Sequence, residues 1–150
     1  MNQTFPIAPA GVGTLVTVAI LTTVILALVI LFGGLLYSAR HVAFTVTDTG
    51  VTVTGDIYGR TIPLADLLVG QASIKDLATD PEFGLRWRTN GVGLPGYRSG
   101  WFRLKNGDKA LIFVTDKEHV VTVPTTQGYT LMMSPRDPAA MLADLQNFGG

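Results

Sequence analysis

The sequence has no cysteine, only two histidines, and no charged side chain before Arg40. Without cysteine there is no thiol nucleophile and no cysteine-ligated metal. His41 and His119 are far apart in the chain, and a metal site needs three or four converging ligands. Asp56 and Asp66 suit turn and helix-cap roles, with a pair of catalytic carboxylates as the alternative. We therefore predict no enzyme activity, no metal and no cofactor.

The uncharged stretch contains a long apolar run. A membrane-spanning helix needs about 20 apolar residues, and residues 12–37 meet this length. A helix is the form that satisfies its own backbone in lipid, and the threonines inside the run can return their hydroxyls to carbonyls one turn back. We predict a short N-terminal tail over 1–11 and a transmembrane helix over 12–37.

A cleaved signal peptide is the alternative for this segment. A signal peptide has a basic region before a shorter apolar core, whereas residues 1–13 contain no Lys or Arg. Arg40 follows the helix, and basic residues are enriched on the cytoplasmic side of spanning helices. The C-terminal domain is therefore predicted to lie in the cytoplasm.

Residues 42–150 have the usual size of one domain, and their pattern is rich in β-strands. Asp48-Thr49-Gly50 marks a tight turn between two alternating runs, and Asn106-Gly107 is the strongest short hairpin signal. The predicted strands cover 42–47, 51–55, 56–64, 71–78, two runs within 100–116, 119–125 and 128–134.

A helix is predicted at the C-terminal end of the domain. Asp137 is a good N-cap, and Pro138 suits the first helical position. One face of this helix then carries Met141, Leu142, Leu145 and Phe148, a spacing typical of a helix packed on one side. A sheet of about seven strands with this helix packed on it follows.

Several stretches of the domain resemble a family of bacterial pleckstrin-homology-like (PH-like) domains found in small membrane-anchored proteins. They are YGRTIPL (58–64), the block from 87 to 116, VVTVPT (120–125) and GYTLMMSPRDPAAML (128–142). The resemblance implies an antiparallel half-open barrel of about seven strands capped by a C-terminal helix, and it points to no particular reaction. Together with the predicted transmembrane helix, it favours a location in the bacterial inner membrane. Phosphoinositide-binding PH domains carry basic residues around the first hairpin, and Thr47–Gly50 has none.

Positive charge is concentrated in one part of a chain whose formal net charge is zero. Residues 83–107 contain no Asp or Glu. Guanidinium groups beside aromatic rings suit anionic headgroups, phosphates or an acidic partner. The alternative is an exposed strand face with tryptophans in the core. The candidate binding residues are Arg86, Trp87, Arg88, Leu94, Tyr97, Arg98, Trp101, Arg103 and Lys105.

The glycine-rich run GVGLPG (91–96) matches G-x-G-x-x-G. A dinucleotide-binding loop must open a helix, whereas Pro95 and Gly100 interrupt this stretch and a strand follows. We predict instead a loop of about a dozen residues around 91–100. Val92, Leu94 and Tyr97 from this loop can insert into a membrane interface or a partner's groove.

The sequence is compatible with two functions. The first is a non-enzymatic, membrane-anchored binding or scaffolding module that contacts lipid through its helix and an anionic surface through its basic residues. The second is an accessory subunit of a larger membrane complex, which pairs its edge strands or loops with an unidentified protein or with its own copies. The neutral overall charge gives no support for nucleic-acid binding.

Overall fold

The computed structural model describes Gln3, Pro6, Pro9 and residues 11–149, with only the backbone described for 38–40. The chain forms two compact units, residues 1–37 and 38–150. Most of the predicted N-terminal tail lies outside the described residues.

Helix α1 begins at Val12 and ends at His41, and its residues as far as Tyr37 belong to the first unit. Among the described residues, α1 is the one helix that is long and apolar enough to cross a membrane, and its candidate span is Val12–Tyr37. Thr17, Thr22 and Thr23 donate to the carbonyl four residues back at 2.8 to 2.9 Å, so their hydroxyls need no water. The predicted apolar helix is confirmed.

The second unit contains two β-sheets and a C-terminal helix. The first sheet is antiparallel and contains β1 (Ala43–Thr47), β2 (Gly50–Thr54) and β3 (Thr61–Pro63). The second sheet contains β4 (Ser73–Lys75), β5 (Leu85–Leu94), β6 (Tyr97–Leu104), β7 (Lys109–Val114), β8 (Val120–Pro124) and β9 (Tyr129–Met133). Its strand order is β4-β8-β9-β7-β6-β5. Helix α2 covers Pro138–Phe148.

The central strands β7, β8 and β9 of the six-stranded sheet are buried on both faces. One face, together with the first sheet and α2, encloses a core that includes Val51, Ile62, Leu111, Leu131 and Leu145. The opposite face carries a second cluster, which includes Phe102, Leu104, Ile112, Val120 and Met132. Alternate residues of β7 therefore enter different clusters, which explains its unbroken apolar run.

The mainly-β fold with a C-terminal helix is confirmed, and so are both hairpin turns. Asp137 accepts a hydrogen bond from the backbone N–H of Ala140 at 2.9 Å, as an N-cap should. Met141 and Leu145 are buried as predicted, but Phe148 is 44 % exposed. The helix ends at that residue, so its ring reaches only the margin of the packed face.

Three details of the predicted sheet are wrong. Strand β7 pairs with β9 in parallel, so the domain is not wholly antiparallel. The predicted strand 56–64 is reduced to β3, because the Asp56 carboxylate accepts from the backbone N–H of Tyr58 at 2.7 Å and closes a turn. The described residues form nine strands, whereas the predicted sheet has about seven and the predicted ranges number eight. The strand that lies outside all of these ranges is β5.

Candidate functional site

Residues 91–100 form the tip of a β-hairpin and not the predicted loop. Strands β5 and β6 continue to the pair Leu94–Tyr97, and Pro95 and Gly96 make a two-residue turn. Gly96 has φ +75°, which suits the second central position of a turn with proline at the first. Tyr97 is only 5 % exposed, so its ring is not free to insert elsewhere.

Two glycines allow this hairpin to close. Gly91 lies opposite Gly100 in the register, and Gly100 has φ +103°. A Cβ atom on Gly100 would lie 2.6 Å from the Gly91 Cα and 2.7 Å from the Asn90 carbonyl oxygen. Side chains at these positions would force the strands apart, so part of the glycine-rich motif serves strand pairing.

Asp56 connects the hairpin to the first sheet. Its carboxylate accepts hydrogen bonds from the Ser99 hydroxyl at 2.6 Å and from the Tyr97 hydroxyl. The Tyr58 hydroxyl donates to the side-chain oxygen of Asn90 at 2.9 Å. Ser99 is completely buried. This network fixes the position of the hairpin, and Asp56 has the turn role that was predicted with an additional anchoring role.

Strand β5 is irregular where its arginines lie. Two register shifts interrupt its pairing with β6, one between Leu85 and Trp87 and one between Arg88 and Asn90. Such bulges redirect side chains. The guanidinium carbon of Arg86 lies 4.4 Å from the ring centroid of Trp87, which is stacking distance for a cation on an indole. Trp87 is itself half exposed.

Arg86 and Arg88 of β5 and Arg98 of β6 line one depression, which we call the basic pocket. Its volume is about 340 Å³. Phe102 and Leu77 provide apolar surface, and Arg98 reaches the pocket from β6. Among the residues that the structure describes, none of those lining the pocket is acidic. The five cationic side chains are Arg86, Arg88, Arg98, Lys105 and Lys117.

These cations have no acidic partner in the described part of the chain. The ion pairs found there within 4 Å join Lys75 to Asp80 and His119 to Asp116. The stem of Lys105 packs over Gly84, where an added Cβ would lie 3.0 Å from the lysine Cδ. The basic pocket is thus a concentration of uncompensated positive charge on an ordered sheet, which attracts anions.

Trp101 and Arg103 lie outside the basic pocket. Both line a separate depression of about 600 Å³. The Trp101 ring meets the Tyr129 ring edge to face at 5.0 Å, and Arg103 donates to the Gly107 carbonyl at 2.6 Å. Burial raises the pKa of Tyr129, while nearby Arg60 lowers it and Asp66 raises it. The candidate residues are therefore divided between two surfaces, and Leu94 and Tyr97 belong to the hairpin tip.

Lys117 is the basic-pocket residue that sequence reasoning missed. It lies between β7 and β8, where its carbonyl accepts from the backbone N–H of Leu77 at 2.8 Å. Nothing in its immediate sequence, TDKEH, distinguishes it from an ordinary exposed lysine. Only knowledge that this loop reaches the β5–β6 hairpin would have identified it.

The described residues contain no group of three or more side chains that can hold a metal ion. His119 pairs instead with Asp116, with 3.2 Å between Nδ1 and Oδ2. The backbone N–H of Glu118 and then the His119 hydrogen bond lower the pKa of Asp116. This local turn accounts for the residues around His119.

The sequence model of one family, described as bacterial PH domain, matches residues 42–148. This chain belongs to the bacterial PH domain family. The match covers the whole second unit except its ends, so the resemblance noted from the sequence is confirmed. No curated protein and no solved structure matches the chain. The family match thus assigns the fold of this bacterial PH domain.

Proposed function

We propose that this protein is a membrane-anchored, non-enzymatic binding module whose PH domain engages an anionic membrane surface through the basic pocket. The helix Val12–Tyr37 provides the anchor, and the domain acts in the cytoplasm at the bacterial inner membrane. PH domains are generally binding modules, which supports the absence of a reaction.

One observation carries the proposal: five cationic side chains line a single pocket without an acidic neighbour among its described lining. A Lys or Arg near an anionic leaflet contributes about 1 kcal/mol. Several acting together can hold one face of the domain at the surface, and tethering by a helix keeps that face close to lipid. The exposed Trp87 suits the headgroup level, where tryptophan is enriched.

The orientation is tested with a fusion at the C-terminus. A reporter that is active only in the periplasm is expected to remain silent, because Arg40 follows the helix and no Lys or Arg precedes it. A cytoplasmic reporter at the same position is the positive control. Periplasmic activity would contradict the orientation and the choice of the inner leaflet.

Reversing two charges of the basic pocket should abolish surface binding without unfolding the domain. We expect fragment 42–150 carrying Arg88→Glu and Arg98→Glu to melt close to the parent, because unpaired surface charges contribute little to folding. Its retention on vesicles rich in anionic lipid should fall at least tenfold by sedimentation, since about 4 kcal/mol of attraction is removed or reversed. High salt should weaken parental binding in the same way.

The matched control carries Lys109→Glu and Arg136→Glu, which make the same change in net charge outside the basic pocket. This control should retain vesicle binding. Equal losses in both double variants would mean that net charge alone drives binding. If the variant with Arg88→Glu and Arg98→Glu bound vesicles like the parent, these arginines would only form an exposed strand face without a role in binding.

A second candidate function is supported by the outer edges of the two sheets. Strands β1 and β5 each pair on one side only, as expected for an accessory subunit that adds a strand from a neighbour. Purification in mild detergent discriminates the two functions, because such a subunit co-purifies with a defined partner and ignores lipid vesicles.

A further inference from the structure

Strand β1 is an edge strand without the charged residues or proline that often protect such edges. It pairs with β2 alone, and Ala43–Thr47 contains no charged residue and no proline. Lysine, proline and other charges commonly blunt free edges. The other long edge, β5, does carry charge, at Arg86 and Arg88. Of these two long edges, β1 is therefore the one that remains open to pairing.

The direction of the free backbone groups follows from the neighbouring pairs. The Val53 N–H donates to the Arg60 carbonyl at 2.9 Å, and the Leu64 N–H donates to the Thr49 carbonyl at 3.0 Å. Backbone groups of Val51 and Val53 thus point toward β3. Since successive residues of a strand alternate in direction, those of Thr52 and Thr54 point toward β1.

The register then places the backbone groups of Ala43, Thr45 and Thr47 toward β2. The N–H and C=O groups of Phe44 and Val46 point away from it. No hydrogen bond is found for these groups in the described part of the chain. Two such residues, spaced two apart, are the pattern that an antiparallel partner strand completes.

These groups open into a slot of about 570 Å³ between β1 and the start of α2. Phe44 and Val46 also pack against the first core, with Phe44 edge to face on Phe113 at 6.4 Å. The opposite wall carries Arg136 and Asp144, and neither belongs to an ion pair among the described residues. The slot thus offers apolar surface, backbone hydrogen bonds, one arginine and two aspartates, of which Asp137 already caps α2.

We propose that β1 binds an extended peptide segment of a partner protein as an added antiparallel strand. The segment carries apolar side chains at alternate positions and a charged residue of each sign toward its ends, which complements Arg136 and Asp144. A second copy of this domain fits less well, because its β1 already belongs to a sheet whose bulk would meet the opposite wall. This surface is independent of the basic pocket.

Proline at position 46 tests the proposal directly. Val46→Pro removes an N–H that β2 does not use, and proline is tolerated on an edge strand where its missing N–H faces outward. Val46→Ala is the matched control, since it loses similar packing and keeps the N–H. The probe is a fluorescent peptide of sequence DTVTVTK amide, titrated against the full chain in zwitterionic nanodiscs and followed by anisotropy.

We expect the parent to bind the peptide saturably and Val46→Ala to bind it with an affinity within about threefold of the parent. The affinity of Val46→Pro should be at least about tenfold lower, as the loss of one or two hydrogen bonds predicts. The same peptide N-methylated at both valines should also fail to bind, which tests the pairing without altering the protein. Equal binding by all three proteins, or by the methylated peptide, overturns the proposal. Val46-dependent dimerisation without peptide binding would overturn it in favour of a second copy.

Discussion

Leu145→Asp should prevent fragment 42–150 from folding. Leu145 is completely buried in the first core, and α2 brings it against residues of both sheets. A carboxylate at this position would be buried without a partner, which costs several kcal/mol. Because a domain of this size is stable by only about 5 to 15 kcal/mol, we expect loss of the cooperative thermal transition by circular dichroism.

The control for this variant is Gln146→Asp, which adds the same charge to the next, exposed residue of α2. This variant should melt within a few degrees of the parent, because exposed substitutions usually change stability by no more than about 0.5 kcal/mol. If Leu145→Asp melted like the control, α2 would not be packed on the sheets, and the description of the domain as one cooperative unit would be wrong.

Gly100→Ala should strongly destabilise the β5–β6 hairpin. The added methyl would meet the Gly91 Cα and the Asn90 carbonyl within van der Waals distance, and φ +103° is itself unfavourable for alanine. Strain and clash together should cost about 3 kcal/mol or more. Urea denaturation of the parent and the variant measures this difference.

Gly93→Ala provides the comparison within the same hairpin. Its added methyl would have only the Arg88 guanidinium nearby, at 3.7 Å, so the free energy of unfolding should change little. A similar loss of stability in both variants would mean that the whole stretch resists side chains, and that the close approach of Gly91 and Gly100 has no special role.

Local signals were sufficient for much of the fold. Asn106-Gly107 predicted the β6–β7 hairpin, and Asp137 with Pro138 predicted the start of α2, because turn and cap preferences depend on a few adjacent residues. β5 was missed for the opposite reason. The glycines and Pro95 at the tip of the β5–β6 hairpin are residues typical of a loop. They fit a strand pair only because Gly91 lies opposite Gly100, and this pairing cannot be read from adjacent residues.

In the candidate site, too, some features follow from the local sequence and others only from the folded structure. The concentration of arginines was visible in the sequence, and three of them do meet. Arg103 and Lys105 are two residues apart, the spacing of one strand face, but β6 ends at Leu104. Lys105 therefore lines the basic pocket, while Arg103 lines the other depression. The remaining features of the basic pocket are the bulges in β5 and the contribution of the distant Lys117. Neither follows from spacing along the chain.

The position of β4 has a consequence for how this domain folds. The hairpins β5–β6 and β6–β7 join neighbouring residues and can form early, whereas the Ser73 hydroxyl meets that of Thr122 across 49 residues of sequence. Chains dominated by such distant pairings fold slowly, over roughly milliseconds to seconds. During synthesis β4 must wait, unpaired, until β8 has emerged, so the segment between the first sheet and β5 is where a nascent chain is most exposed to misassembly.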